Sequence, residues 1–235
     1  MGSEMCIRDS FDSQDRVIIA WTSREGGKPG TKLVVVRQTA GEWRTIFEES
    51  ADNDNSGPSL AVDADDRVHM SWRRIVFGTP NQREVWYTVE RAGVEWDTQV
   101  ATESQSVMWG TVLTLTSDRE GLILYIDWAS DTGEYRVWVA RQVGQQWQQD
   151  YLSSYPENLF HHGSLALGPD DLTVVTFTRY LQDDPFVAEG LWAWYCDGTW
   201  NISALPIPDA YGSKVMFHPE GYPVLRSSMR LASYW

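Results

Sequence analysis

The chain has 235 residues, 42% hydrophobic and 13% aromatic, which is enough apolar side chain for one large all-β domain or two small ones. A formal charge of −14 excludes a surface made for nucleic-acid phosphates. Cys6 and Cys196 are too few for a disulfide framework and lie in no CxxC or Cys/His cluster, so neither a metal nor a cofactor is expected. No apolar run reaches the roughly 20 residues of a membrane span.

Residues 1–10, MGSEMCIRDS, lack the apolar stretch of a signal peptide and read as a non-native leader, with the protein's own sequence starting near Phe11. From there one pattern recurs. The first unit, 11–55, runs through DRVIIAW (Asp15 to Trp21), LVVVR (Leu33 to Arg37) and AGEW ending at Trp43. The second, 56–108, opens on Gly57 and continues through DRVHMSW (Asp66 to Trp72), VWYTV (Val85 to Val89) and Trp96. The third, 109–161, repeats this with Gly110, GLILYI (Gly121 to Ile126), VWVAR (Val137 to Arg141) and Trp147. The fourth, 162–210, has Gly163, DLTVVTF (Asp171 to Phe177), LWAWY (Leu191 to Tyr195) and Trp200. The fifth, 211–235, opens on Tyr211 and Gly212.

Successive tryptophans of this series are 53, 51 and 53 residues apart, and successive glycines 53, 53 and 49. Each unit reads as strand, Asp/Gly/Pro-rich turn, strand, longer loop, strand, tight turn, strand. The predicted fold is therefore all-β, a β-propeller of four-stranded antiparallel blades. Three blades are whole; the first lacks its inner strand and the last its outer part. A β-sandwich is the competing architecture, but it does not demand this recurrence of Gly and Trp. The chain is read as a fragment of a larger propeller, or as a small five-unit one.

The stretches PSLAVDADDRVHMSW, VWYTVERAGVEW and DGTW resemble the BNR-repeat, sialidase-like propellers, whose Asp-box hairpin reads Ser-x-Asp-x-Gly-x-Thr-Trp. Only Asp197-Gly198-Thr199-Trp200 keeps the Asp, Gly, Thr and Trp compactly. The Gly-His and Trp-Asp pair of WD40 repeats and the double glycine of kelch repeats do not recur. The resemblance implies a glycan-facing protein working outside the cytoplasm, in a secreted or periplasmic setting. It does not extend to the sialidase active site, because the Phe-Arg-Ile-Pro motif is absent and no Tyr/Glu nucleophile pair can be assigned.

In such a blade the first and third turns share one face, and the second loop shares the opposite face with the inter-blade connection. The long connections are expected at 23–31, 73–83, 129–135 and 180–189, and function usually occupies such loops on a rigid scaffold. On that face the substrate-binding candidates are Arg73, Arg74, Trp109, Trp128, His161 and Tyr211, beside Arg24. Arginine pairs with carboxylates, tryptophan stacks on sugar rings, and histidine or tyrosine moves protons. The expected activity is binding of glycan, including anionic glycan, or of protein. The alternative is a glycan-active enzyme, either a glycosidase or a uronate lyase with His162 as base, Arg179 as carboxylate neutraliser and Tyr180 as acid. His69 lies inside a strand and is expected to serve the core or a cross-strand contact. The acidic stretch 52–55 is expected to be a solvated connection, and Asp183-Asp184 are too close together to flank a glycosidic bond.

Overall fold

The computed structural model describes the backbone of residues 7–78, 81–91, 95–102, 104, 106–108, 110–156, 161–182, 187–208 and 210–229. Side chains are described for these except at 7, 156, 161, 162, 180–182, 187, 188, 206–208, 210–213 and 227–229. The first unit comprises β1 (Ile7–Phe11), β2 (Val17–Arg24), β3 (Thr31–Thr39) and β4 (Glu42–Glu49). The second holds β5 (Asp54–Val62), β6 (Val68–Val76), β7 (Gln82–Glu90) and β8 (Trp96–Val100). The third holds β9 (Val112–Leu115), β10 (Gly121–Ala129), β11 (Glu134–Val143) and β12 (Gln146–Pro156). The fourth holds β13 (His161–Leu167), β14 (Thr173–Gln182), β15 (Val187–Cys196) and β16 (Thr199–Pro208). In the fifth, β17 (Ala210–Phe217) pairs with β18 (Pro223–Met229). Every unit is an antiparallel meander, and one parallel bridge, Thr31 to Asp54, joins the first two. Among the described residues no helix is long and apolar enough to cross a membrane.

The hairpin chemistry explains the regularity. In each unit the turn after the inner strand closes with two backbone hydrogen bonds, as in Asp63 N–H to Arg67 O at 3.1 Å and Asp66 N–H to Asp63 O at 3.0 Å. Its fourth residue sits at positive φ: Asp15 (57°), Asp66 (61°), Arg119 (67°), Asp171 (57°) and Gly221 (90°). Aspartate and glycine tolerate that region better than β-branched residues do, so the Asp/Gly-rich turns follow from backbone sterics.

The core lies between units. Along each second strand the side chains alternate faces, so Ile18 and Ala20 meet Met70 and Trp72 across the first seam. Val85 and Tyr87 meet Ile123 and Tyr125 across the second, and Leu122, Leu124 and Ile126 meet Val175 and Phe177 across the third. The repeated Trp and Gly are seam residues. Trp96 Nε1 donates to Ile46 O of the preceding unit at 2.8 Å, and Trp200 Nε1 to Asp150 Oδ2 at 3.1 Å. Gly57, at φ +60°, faces Gly110 so closely that a methyl group on either would press into the other's backbone, and a methyl on Gly163 would meet Leu124 Cδ2 at 2.5 Å. The inner strands are stitched as well: Leu113 N–H donates to Ser59 Oγ at 2.9 Å and Val215 N–H to Ser164 Oγ at 3.2 Å.

Three features differ from the sequence reading. The first unit has an inner strand, Ile7–Phe11, drawn partly from residues assigned to the leader. The ladder of the second unit continues to Val76 opposite Gln82, so Arg73, Arg74 and Arg83 lie in strands and the loop shrinks to 77–81. Polar side chains at a strand's solvated end read like loop, although the backbone there stays paired. The connection at 52–55 is not wholly solvated: Asn55 is buried, gives its amide protons to Thr31 O and Ser50 O, and accepts from Trp72 Nε1 at 3.1 Å.

Candidate functional site

An antiparallel meander puts the Asp/Gly turns at one end and the second-to-third-strand loops, with the inter-unit connections, at the other. At the latter end the inner strands share an irregularity. The register of β5 against β6 shifts between Ser56 and Ser59, of β13 against β14 between His161 and Ser164, and of β17 against β18 between Tyr211 and Lys214. A bulge re-aims the residues beside it and recurs next to functional sites. Ser56, His161 and Tyr211 thus hold one register on three inner strands. Opposite Ser56 stands Arg73, whose Nε donates to Ser56 Oγ at 2.9 Å and whose Nη1 donates to the Met108 carbonyl of the next connection.

A second level lies beyond it. Arg74 opposes Glu84, Asp127 opposes Arg136 and Arg179 opposes Glu189, one cross-strand pair in each of three units. Arg74 reaches Glu49 of the first unit at 3.3 Å and lies over Trp86 at 4.4 Å, while Trp86 Nε1 donates to Glu84 at 2.8 Å. Arg179 is ion-paired with Glu189 and lies over Tyr155 of the third unit at 4.5 Å. Asp127 is 1% exposed yet satisfied. It accepts from Arg136 Nε at 2.9 Å, Arg136 Nη2 at 2.7 Å, Trp138 Nε1 at 3.0 Å and Ser104 Oγ at 2.8 Å. The bond to this carboxylate outweighs partial burial and raises the Arg136 pKa further. A buried charge is tolerable when its lone pairs are filled in this way.

The sequence candidates therefore divide. Arg73 and Arg74 are neighbours in a strand and leave it on opposite faces, so they serve two different levels. Trp128 pairs with Tyr135, ring centroids 4.5 Å apart, and its backbone N–H donates to Ser106 O at 3.1 Å. Trp109, Asp183 and Asp184 lie outside the described residues, as do the side chains of His161, His162, Tyr180 and Tyr211. Sequence reasoning missed Asp127, Arg136 and Ser56. Asp127 carried a signal, being the one charged residue interrupting the apolar run from Leu122 to Ala129.

No protein-family model and no curated protein sequence matches the chain. Solved structures do match in fold. A GH93 α-L-arabinofuranosidase of Fusarium graminearum, in complex with arabinobiose, superposes with a TM-score of 0.66 at 12% identity, covering 95% of this chain and 74% of that one. An α-L-arabinanase of Penicillium chrysogenum, also complexed with arabinobiose, gives 0.64 at 9% identity over 95% and 74%. A Hadza microbial sialidase gives 0.53 at 9% identity over 89% and 60%. At these identities the likeness establishes a common fold of four-stranded antiparallel units.

Proposed function

We propose that the protein is a carbohydrate-active β-propeller that hydrolyses glycosidic bonds at the end carrying the second-to-third-strand loops, with its five units acting as blades around a central axis. The observation that carries this reading is the repeated inner-strand bulge, which holds Ser56, opposite Arg73, together with His161 and Tyr211 at one register on three inner strands. Support for carbohydrate comes from the shared fold with two arabinobiose-bound proteins and a sialidase. On a sialidase-like reading, the turn at Asp197 and Gly198, whose φ values of 51° and 80° suit a two-residue hairpin, would be the Asp-box-like hairpin.

Hydrolysis needs a pair of carboxyl groups across the scissile bond, one to protonate the leaving oxygen and one to act as nucleophile or base. At this end Asp54 is the carboxylate of inner strand β5, two residues before Ser56, and accepts from Thr31 Oγ1 at 2.9 Å. It is assigned one of the two roles. Arg73 orients a sugar hydroxyl or carboxylate, and Trp128 offers an aromatic face. The lyase reading is weaker, because the Arg179 charge is already matched by Glu189. The test is reducing-sugar release from arabinan, arabino-oligosaccharides, sialosides and uronate polymers. Release that falls at least about a hundredfold in Asp54→Asn supports hydrolysis. Product absorbing at 235 nm would instead establish a lyase, and binding without turnover a non-catalytic glycan receptor.

A further inference from the structure

At the opposite end, His69 of β6 is 2% exposed and Tyr87 of β7 is 1% exposed. His69 Nδ1 lies 2.6 Å from Tyr87 Oη and Nε2 lies 3.2 Å from Asp63 Oδ2. The protons in this chain can be assigned. Asp63 also accepts from the Asp65 and Arg67 N–H groups at 2.9 and 3.0 Å and from Arg67 Nε at 2.8 Å. Burial opposes its ionisation, but these donors outweigh it and hold its pKa at about 2. An acceptor-only carboxylate requires His69 Nε2 to carry the proton, so Nδ1 is the acceptor and the Tyr87 hydroxyl donates to it. Burial raises the Tyr87 pKa, so that hydroxyl keeps its proton.

The chain of bonds ends on a seam. The Tyr87 ring meets Trp147 of the third unit edge to face, centroids 5.0 Å apart, and Gly121 lies beneath both, where a methyl group would come within 2.9 Å of Trp147 and 3.2 Å of Tyr87. An open cleft of about 420 Å³ reaches this point from solvent, lined in part by Arg67, His69, Tyr87, Arg119, Glu120 and Gln142.

We propose that Asp63, His69 and Tyr87 form a pH-sensitive latch on the seam between the second and third units, released when His69 Nδ1 takes a proton through this cleft. The added N–H takes the lone pair of the Tyr87 oxygen, so the phenol O–H must swing off Nδ1 and give up that acceptor inside a buried seam walled by Trp147 and Gly121. The charged and titratable groups around His69 are Asp63 and Arg67 from its own hairpin, Tyr87 from β7, and Asp118, Arg119 and Glu120 from the next unit's turn; Asp65 pairs with Arg67 and Arg119, and Asp97 of β8 acts on Tyr87. Asp63 favours the cation. Burial, with the Arg67 and Arg119 guanidiniums, outweighs it and lowers the His69 pKa below its ordinary 6.5. A lowered histidine contributes stability above 6.5 that is lost as pH falls through that value toward the folded one.

The decisive experiment combines ¹⁵N-edited NMR of the histidine rings with unfolding monitored by tryptophan fluorescence between pH 7.5 and 5. The latch predicts a neutral His69 protonated at Nε2 at pH 7.5. It also predicts a rise of about tenfold in the unfolding equilibrium constant on acidification, beyond that of His69→Gln, whose amide does not titrate. Tyr87→Phe removes the hydroxyl that the proton displaces and flattens the same pH dependence. A His69 protonated at Nδ1 at neutral pH, or wild-type and variant profiles running parallel, overturns the latch. The NMR arm needs no variant to fold.

Discussion

At the tight-turn end, Ser13 and Ser117 each give an N–H and a hydroxyl hydrogen bond, between 2.7 and 2.8 Å, to the aspartate in the next unit's turn, Asp66 and Asp171. At the opposite end, Arg74, Asp127 and Arg179 hold one register and each finds a different partner: the previous unit's Glu49, the same unit's Arg136, and Glu189 with Tyr155. One end repeats the same contact, whereas the other repeats only the position and varies the chemistry. A scaffold that fixes the backbone and frees side-chain identity at one end has the character of a binding surface. The tight-turn end departs from its own rule at the second seam, where Ala64 and Arg119 replace the serine and aspartate and Arg119 pairs with Asp65 instead, and at the fourth, where Pro169 faces Gly221.

The largest expected effect breaks the inner-strand seam that runs between both ends. Gly57→Ala, at positive φ and against Gly110, should destabilise the fold by roughly 3 kcal/mol in chemical denaturation. Next comes the variable end: Asp127→Ala strips Arg136 and Trp138 of their common acceptor and should cost about 2–3 kcal/mol, discounted because Arg136 is 34% exposed. At the repeated end, Asp63→Asn should cost about 2 kcal/mol. In the wild type the Asp63 contribution is present above pH 3.8 and lost as pH falls through 3.8 toward about 2, so the stability gap between wild type and Asp63→Asn should be full above pH 3.8 and close as pH approaches about 2. The smallest effect belongs to the exposed turn contact, where Ser13→Ala should cost about 0.5–1 kcal/mol in the same assay. If Ser13→Ala proved as damaging as Asp127→Ala, the distinction between the two ends would lose its energetic basis.

The repeat was legible because the residues that announce it are those the seams cannot exchange. Only glycine admits the approach of Gly57 to Gly110, and Trp96 and Trp200 reach back to the unit before them. Trp43 has no preceding unit among the described residues and stands 49% exposed, although its sequence context is the same. The candidate site was legible only in part. Arg73 was found, but its pairing with Ser56 depends on a bulge, and bulges leave no local sequence period. The Asp127 cluster joins Ser104, Arg136 and Trp138 across two strands and a connection, so its meaning emerges only once the register is known. Strand ends were misread because Arg73 and Arg74 carry loop-like polarity on a paired backbone.

The central claim, that glycan hydrolysis belongs to the variable end, is tested most directly by reducing-sugar release from arabinan and arabino-oligosaccharides by wild type, Asp54→Asn and Ser117→Ala side by side. The proposed function predicts turnover by wild type, its loss in Asp54→Asn with unchanged melting, and near wild-type rates in Ser117→Ala. Equal activity in Asp54→Asn and wild type, or loss confined to Ser117→Ala, would contradict it.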